Sequence, residues 1–198
     1  MAKAKAGKSI ALYFGSFNPV HIGHLAIANY IAEFELVDEV WMVVSPQNPL
    51  KVKQSMLANL HRLQLVKIAI GEYKKIKPSK IEFDLPIPSY TFDTLKHLEQ
   101  LHPGFSFTLV IGSDNLETFH KWKDYQRILD NYSLIVYPRP GFVGHKLLEL
   151  SNIKLIDAPL MEISSTFIRS AIKSKKDIRH FLPPGVWDYI KEMHFYEK

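Results

Sequence analysis

Apolar runs bounded by turn residues alternate along the chain with longer segments in which apolar residues recur every three or four positions. The runs predict buried strands, and the longer segments predict helices that cover a sheet. Strands are expected at Ser9–Phe14, Glu39–Ser45, Lys80–Asp84, Ser106–Gly112, Ser133–Tyr137 and Lys154–Ile156. Helices are expected at His21–Phe34, Met56–Glu72, Tyr90–Leu101, Asp124–Leu129, His145–Leu150, Ser165–Lys173 and Val186–Met193.

This alternation predicts an α/β fold with an open, doubly wound parallel sheet of the Rossmann-like kind, because six strands are too few for the eight-fold barrel. Residues 9–198 are expected to form one domain, with a small helical C-terminal part over 163–198. Residues 1–8 are expected to be a flexible basic tail. In open sheets of this kind, ligands bind outside the carboxyl ends of the strands.

The composition excludes several classes of protein. The chain has no cysteine, which rules out disulfides, thiolate zinc sites and cysteine nucleophiles. No apolar stretch approaches the roughly 18 to 20 residues needed to cross a bilayer, and none has the form of a signal peptide. We therefore expect a cytoplasmic protein without a membrane partner.

The formal net charge is +5, and eight Lys or Arg residues stand between positions 51 and 80. Such a run can attract a nucleotide triphosphate or a nucleic acid, or it can be a solvated surface. Because Lys3, Lys5 and Lys8 supply three of the charges and no nucleic-acid-binding signature is present, a nucleic-acid partner is not expected. The composition leaves a homo-oligomer open.

The first segment that suggests chemistry is Gly-Ser-Phe-Asn-Pro-Val-His-Ile-Gly-His, residues 15–24, at the junction of the first strand and helix. Gly15 and Gly23 permit close backbone approach, and a helix start favours an anion. His21 and His24 lie on one helix face, where both rings can reach one polyphosphate. A surface pair or half a metal site is the competing interpretation. A zinc protease is disfavoured because no Glu stands between the histidines.

A second segment, Ile163-Ser164-Ser165-Thr166-Phe167-Ile168-Arg169, lies far downstream. Its hydroxyls can cap a helix start and present amides to phosphate, while the arginine adds a fixed charge one turn later. Alone, this segment is an ordinary helix cap.

Together the two segments resemble the HxGH nucleotidyltransferases, whose loop and histidine pair hold the phosphates of ATP or CTP. Further segments are similar to bacterial nicotinate mononucleotide adenylyltransferases. These are Pro88–Leu95, Ile111–Asp114 followed by Trp122, Pro138–Gly141 and the closing Leu182–Tyr196. The resemblance extends over nearly the whole chain from Ile10.

The resemblance implies transfer of the adenylyl group of ATP to nicotinate mononucleotide, with Mg²⁺ arriving on ATP and no dedicated metal site. The implied catalytic residues are His21, His24, Lys51 and Arg169, with Lys51 favoured over Lys53. ATP is expected to bind at Gly15, Ser16, Phe17, His21, Gly23, His24, Gly112, Asp114, Arg139, Ile163, Ser164, Ser165, Thr166 and Arg169. Nicotinate mononucleotide is expected to bind at Asn18, Ser89, Tyr90, Thr91 and Trp122.

The chain departs from the family pattern at two places in the first segment. Phe14 precedes Gly15 where paired glycines are common, and Asn18 stands where an aspartate is common. An asparagine at position 18 can still hydrogen-bond within its own turn, but a role that needs a carboxylate there does not carry over. Three related enzymes stay open as alternatives, namely a nicotinamide mononucleotide adenylyltransferase, a pantetheine-phosphate adenylyltransferase and a cytidylyltransferase. A histidine-based phosphohydrolase and a nucleic-acid-binding domain are the alternatives from other classes.

Overall fold

The computed structural model describes residues 7–46 and 56–197, in which six strands form one parallel sheet. The strands are β1 (Ser9–Gly15), β2 (Glu39–Val44), β3 (Ile76–Ser79), β4 (Ser106–Gly112), β5 (Ser133–Tyr137) and β6 (Ile153–Leu155). Their order across the sheet is β3-β2-β1-β4-β5-β6. Successive strands are added toward one side of the sheet from β1 to β3 and toward the other side from β4 to β6. The strand order therefore reverses between the parallel neighbours β1 and β4, and ligands of doubly wound sheets bind at such a point.

The helices cover both faces of the sheet. They are α1 (Ile22–Phe34), α2 (Asn59–Ile70), α3 (Thr91–Leu101), α4 (Ser113–Leu116), α5 (Tyr125–Asn131), α6 (Ser165–Lys173) and α7 (Val186–Glu192). Short 3-10 helices lie at Ile81–Asp84, Phe119–Lys121, Lys146–Glu149 and Arg179–Phe181. None of the helices within the described ranges has the length and apolar character needed to cross a bilayer.

Alternate residues of the strands point into two separate cores. On β1, Ala11 and Tyr13 pack into a first core with α1, α2, α6 and α7, whereas Ile10 and Leu12 pack into a second core with α3 and α5. All four side chains are buried. A strand buried on both faces is typical of parallel sheets, and the predicted doubly wound α/β fold is confirmed.

The third strand was predicted at the wrong place. Lys80–Asp84 contains the 3-10 helix Ile81–Asp84, and the strand lies earlier, at Ile76–Ser79. Ile81 and Phe83 do pack against opposite cores, so their alternation imitates a strand. Pro78 argues against a central strand, but β3 is at the edge of the sheet, where a residue without an N–H is tolerated.

Other differences concern helix type and ends. The segment expected to be a helix at His145–Leu150 is a 3-10 helix over Lys146–Glu149, and the helix expected over Met56–Glu72 is limited to Asn59–Ile70. The helix expected from Ser165 to Lys173 has those bounds in the structure. These shifts leave the connection of strands and helices as predicted.

Candidate active site

The candidate site lies where β1 and β4 end, at the reversal of the strand order. The segment that joins β1 to α1, residues 16–21 and here called the β1–α1 loop, follows the first of these strands. Segments after β3, β4, β5 and β6 carry the other expected site residues of the described ranges. At the carboxyl ends of its strands, the sheet therefore brings together residues that are far apart in the sequence.

Phe17 gives the β1–α1 loop its shape. Its backbone has φ of 44°, its ring is buried, and the ring meets that of His24 edge-on with centroids 5.0 Å apart. A Cβ atom on Gly15 would lie 2.7 Å from this ring. The chain therefore needs a glycine at the end of β1 to seat the ring that supports His24.

The two histidines of the first segment stack on each other at the start of α1. Their ring centroids are 3.7 Å apart, and the backbone N–H of His21 donates to Nδ1 of His24 at 3.2 Å. Since Nδ1 accepts this bond, a proton on a neutral His24 ring is on Nε2. The pair was predicted from its spacing, whereas the stacking was not.

The ring of His21 is buried, and its side chain is only 4% exposed. Burial, with a smaller contribution from the positive charge of Arg139, lowers the pKa of His21 to about 4. The ring is therefore neutral near pH 7 in the free protein and can act as a hydrogen-bond donor without a charge.

The second segment contacts the first directly. Ser165 Oγ donates to the carbonyl of Pro19 at 2.9 Å, and Arg169 Nη1 donates to the carbonyl of Asn18 at 2.9 Å. Ser164 caps α6 by accepting from the N–H of Phe167 at 3.1 Å. The structure thus brings together two segments separated by about 150 residues, the Arg169–Asn18 bond alone spanning 151.

The remaining members of the second segment have supporting positions. Thr166 Oγ1 accepts from Arg169 Nη2 at 3.3 Å, and Ile163 packs against the first core. Gly23, in the first turn of α1, lies close to the His21 ring, because a Cβ atom there would be 3.1 Å from its Nδ1. The Thr166 contact restricts the Arg169 side chain, and the close approach of Gly23 restricts the His21 ring.

Arg62, on α2, is a residue of the site that the sequence did not reveal. Its side chain is fully buried, and its guanidinium donates to the carbonyls of Ser16 and Ser45. It also donates to the carbonyls of Leu57 and Pro46 and to Asn59 Oδ1. Arg62 therefore joins the β1–α1 loop to the end of β2. The available signal was an arginine three residues before Leu65 and four before Val66, on the buried face of a helix.

Asn18 is buried and bonds to other elements. Its Oδ1 accepts from the N–H of Leu57 at 3.2 Å and from the hydroxyl of Tyr196 at 2.8 Å. The sequence allowed a bond within its own turn, but donors from distant elements occupy the side-chain oxygen. Tyr196, near the end of the chain, is a second residue that the sequence did not single out.

Gly112, Asp114 and Arg139 lie together after β4 and β5. Arg139 Nη2 donates to the Tyr137 hydroxyl at 3.0 Å, and its Nε lies 3.8 Å from Asp114 Oδ1. A Cβ atom on Gly112 would lie 2.3 Å from that same oxygen. Ser113 fixes the backbone here by accepting from the N–H of Arg139 at 2.9 Å.

A cavity of about 560 Å³ opens beside Arg139. Its lining comes from the segments after β5 and β6, namely Pro138, Arg139, Gly141, Phe142, Asp157, Ala158, Pro159 and Leu160. This lining combines apolar side chains with one arginine and one aspartate, which suits a flat aromatic ring with polar edges.

The segments with Ser89, Tyr90, Thr91 and Trp122 meet on the α3 side of the site. Lys123, next to Trp122, contacts Asp93 at 2.8 Å and lies 4.9 Å from the centre of the Tyr90 ring. Thr91 is the first residue of α3, where backbone N–H groups point outward. The start of α3 is therefore held close to the segment that carries Trp122.

Three buried polar atoms on this side have no hydrogen-bond partner within the part of the chain that the structure describes. They are Ser89 Oγ, Trp122 Nε1 and Glu82 Oε2. The other oxygen of Glu82 accepts from the Thr94 hydroxyl of α3 at 2.9 Å. Buried polar groups without partners are costly, so they favour a site that a polar ligand completes.

The role expected of Lys51 and the expected lack of a dedicated metal site both stay predictions. Lys51 and Lys53 lie outside the described residues. Among residues 7–46 and 56–197, no group of three or more His, Cys, Asp or Glu side chains is placed to hold a metal ion.

Comparisons with known proteins agree with this arrangement. The family model described as cytidylyltransferase-like matches residues 12–171. A protein of Flavobacterium johnsoniae, named a probable nicotinate-nucleotide adenylyltransferase, is 53% identical over 192 residues, which cover 96% of this chain and 99% of that one. A protein of Bacteroides thetaiotaomicron with the same name is 47% identical over 193 residues, covering 97% and 96% of the two chains.

Solved structures share the fold. The nicotinic acid mononucleotide adenylyltransferase of Plasmodium falciparum, complexed with NaAD, superimposes with a TM-score of 0.82 at 25% identity, covering 96% of this chain and 98% of that one. A putative nicotinate-nucleotide adenylyltransferase of Vibrio parahaemolyticus has a TM-score of 0.73 at 23% identity, covering 96% of both chains, and supports the fold alone.

Proposed function

The chain belongs to the cytidylyltransferase-like family and, within it, to the nicotinate-nucleotide adenylyltransferases, and from this premise we propose the reaction that it catalyses. It transfers the adenylyl group of ATP to nicotinate mononucleotide, which gives nicotinate adenine dinucleotide and pyrophosphate in NAD biosynthesis. The observation that carries the proposal is the contact of the Ser165 and Arg169 side chains with the loop that leads into the stacked His21–His24 pair.

The reaction needs no protein nucleophile. The 5′-phosphate of the mononucleotide, ionised near neutral pH, attacks the α-phosphorus of ATP in line. A new bond forms between the attacking oxygen and the α-phosphorus while the α–β bridging bond breaks, and pyrophosphate leaves with that electron pair. The protein contributes positioning and compensation of the charge that grows on the leaving group.

The histidine pair and two basic residues are proposed to perform this compensation. His21 and His24 donate hydrogen bonds to the α- and β-phosphates, while Arg169 and Lys51 add fixed positive charge. The neutral state of His21 in the free protein supports a donor role, and an arriving polyphosphate raises the pKa of the ring and favours its protonation. Gly15, Ser16, Phe17 and Gly23, with the 163–166 segment, are proposed to shape the phosphate site.

The two ends of the dinucleotide are proposed to lie on opposite sides of the loop. Gly112, Asp114 and Arg139 bind the adenosine, with the base in the cavity beside Arg139. Ser89, Tyr90 and Thr91 at the start of α3 bind the nicotinate carboxylate, and Trp122 stacks on the pyridine ring. Ser89 Oγ and Trp122 Nε1, which have no hydrogen-bond partner among the described residues, support a polar ligand there. Asn18, whose oxygen is occupied by protein donors, is proposed to act by holding the loop.

Nucleotidyltransferases of this kind use a divalent cation with ATP, and we propose Mg²⁺ in that role. Since the described residues form no cage of metal ligands, the phosphates of ATP and water hold it. The cation compensates phosphate charge. Both substrates are phosphorylated metabolites made inside cells, so the proposal assigns the reaction to the cytoplasm.

Pyrophosphate release from ATP tests the function directly. The purified protein is given Mg²⁺ and ATP together with nicotinate mononucleotide, nicotinamide mononucleotide or phosphopantetheine, each alone. Release that depends on the nicotinate compound and exceeds release with the amide is expected. Preference for phosphopantetheine would contradict the assignment of Thr91 and Trp122, and no release with any acceptor would contradict the reaction itself.

His24→Ala tests the proposed role of the histidine pair. Charge on the bridging oxygen grows only as the bond breaks, so loss of a donor is expected to lower kcat by about 100-fold and to change the ATP affinity much less. Steady-state kinetics with varied ATP, together with direct titration of ATP, separate the two quantities. Unchanged kcat with a large loss of affinity would show that His24 only binds the nucleotide.

A further inference from the structure

The end of the chain reaches back to the first loop of the fold. After α7, the N–H of Phe195 bonds to the carbonyl of Ile190 at 3.1 Å, and Tyr196 has φ of 66°. The Tyr196 hydroxyl then donates to Asn18 Oδ1 at 2.8 Å, a bond between residues 178 positions apart. Burial raises the pKa of Tyr196 above its ordinary value, so the phenol keeps the proton that this bond needs.

Asn18 concentrates the bonds that hold the β1–α1 loop. Its side-chain oxygen accepts from Tyr196 and Leu57, and its carbonyl accepts from Arg169. The next residue, Pro19, accepts from Ser165. A change at the Tyr196 hydroxyl therefore reaches the loop three residues before His21.

Tyr196 also lies close to both arginines that bind the loop. The positive charges of Arg169 and Arg62 each act on its hydroxyl. Arg62 donates to the carbonyl of Ser16 and Arg169 donates to the carbonyl of Asn18. Tyr196 therefore lies close to both side chains that hold the backbone of the loop.

We propose that Tyr196 is a positioning residue for adenylyl transfer, which acts through Asn18 to hold the β1–α1 loop in the geometry that the histidine pair requires. This inference rests on the proposed function. The residue touches no reacting atom. Its hydroxyl holds the loop through a hydrogen bond to a residue 178 positions earlier in the chain.

The same segment contains a matched control. Tyr189 of α7 is paired with Nδ1 of His61 at 3.0 Å, and the Phe195 ring lies 4.9 Å from His61. This contact anchors the segment to α2 but involves no residue of the loop. Tyr189→Phe and Tyr196→Phe therefore each remove one hydroxyl from the same segment, and only the second removes a bond to the loop.

The experiment measures kcat, the KM for ATP and the melting temperature of the wild type and both variants. Tyr196→Phe is expected to lower kcat/KM by about 5-fold, the value of one neutral hydrogen bond, with a melting temperature close to that of Tyr189→Phe. Tyr189→Phe is expected to keep wild-type kinetic constants. A purely structural role would lower the melting temperature in both variants without moving kcat or KM, and that result would overturn the proposal.

A double-mutant cycle tests the route through Asn18. In an Asn18→Ala background, Tyr196→Phe is expected to have no further effect on kcat/KM, because its partner is already gone. Full additivity would overturn the proposal. An inactive wild type would refute the proposed function, whereas an active wild type with equal constants for Tyr196→Phe and Tyr189→Phe would refute only the role of Tyr196.

Discussion

His21 combines a buried ring with a place at the start of a helix, and burial, with a smaller contribution from the positive charge of Arg139, determines its charge. The pKa of about 4 gives the free protein a neutral hydrogen-bond donor at the place proposed for the phosphates. The neutral ring avoids the cost of an unpaired buried cation before the phosphates arrive.

This burial makes folding sensitive to acid. The pKa of His21 is lower in the folded chain than its ordinary value of 6.5, so between pH 6.5 and 4 the unfolded chain binds the proton first. The free energy of unfolding should therefore fall by ~3 kcal/mol more in the wild type than in His21→Asn between pH 7 and 4. Urea unfolding at both pH values measures the difference, and parallel losses in the two proteins would contradict the assigned burial.

Arg62 presents the opposite case, a buried cation that is kept charged. Its donors reach four backbone carbonyls and one amide oxygen, and within the described ranges no carboxylate acts on it. Burial lowers its pKa, but guanidinium stays protonated at any ordinary pH. Among the described residues, the charge is thus balanced by the dipoles of these carbonyls and the amide.

Arg62→Met is expected to destabilise the chain by ~3 kcal/mol or more, because the carbonyls of Ser16 and Ser45 lose their buried donor. Arg62→Lys should recover only part of this, since an ammonium cannot reach partners on several sides. Arg179→Met is the control, as Arg179 forms an exposed pair with Asp177. A melting temperature for Arg62→Met as high as that of the control would refute the role of Arg62 in joining the β1–α1 loop to the end of β2.

Single residues differ in how far the sequence reveals them. His21, His24, Ser165 and Arg169 belong to local patterns in which spacing already implies a shared face or a cap. Arg62 and Tyr196 gain their roles from contacts with elements far away in the chain, and no local pattern describes such a contact. Asn18 is intermediate, since its segment was identified but its partners were not.

At the scale of elements, the β1–α1 loop depends on a ring that fills the space above a glycine. The Phe17 ring lies against Gly15 on one side and the His24 ring on the other. The geometry of the histidine pair is therefore linked to the end of β1 through packing as well as through the chain.

Gly15→Ala should disturb this packing. The new methyl group would lie 2.7 Å from the Phe17 ring, so the ring must move and the His24 ring loses its support. We expect a stability loss of ~1–3 kcal/mol and a lower kcat. Phe17→Leu, which removes the clashing ring atoms, should recover part of the loss when combined with Gly15→Ala. Strictly additive losses in denaturant unfolding would argue against the clash.

The strands and helices themselves were largely predictable because their hydrophobic periods are regular. The exception at β3 shows the limit of the pattern. A short edge strand with Lys77 and Pro78 lacks the apolar run of a central strand, whereas the 3-10 helix after it has an alternating pair of apolar residues. Position in the sheet, which the local sequence does not encode, decides between the two.

At the scale of the whole molecule, the first described residues are tied to the sheet. Lys8 pairs with Glu39, and its carbonyl accepts from the N–H of Ser106 at 2.9 Å. The N–H of Ser9 donates to Asp38 Oδ2 at 2.7 Å. Lys8, which was expected to belong to the tail, thus takes part in contacts of the domain.

Deletions at the N-terminus should therefore have a sharp limit. Removing residues 1–6 is expected to leave the melting temperature within ~2 °C and kcat unchanged, because it keeps the bonds that Lys8 and Ser9 make to the sheet. Removing residues 1–9 deletes the bonds of Lys8 and Ser9 and should lower the melting temperature by ~5 °C or more. Thermal unfolding of both deletions measures this, and equal loss in the two would assign a role to residues 1–6.

The bonds of Asn18 to Arg169 and Tyr196 span 151 and 178 residues, and they bear on how the protein is made. A ribosome releases the β1–α1 loop long before it releases Arg169 and Tyr196. A nascent chain can therefore build β1 and α1 long before the loop has its final bonds. A product of premature termination that lacks Tyr196 would still contain every strand of the sheet, yet its loop would lack the bond from that hydroxyl, so the loop would reach its final geometry only after residue 196 is translated.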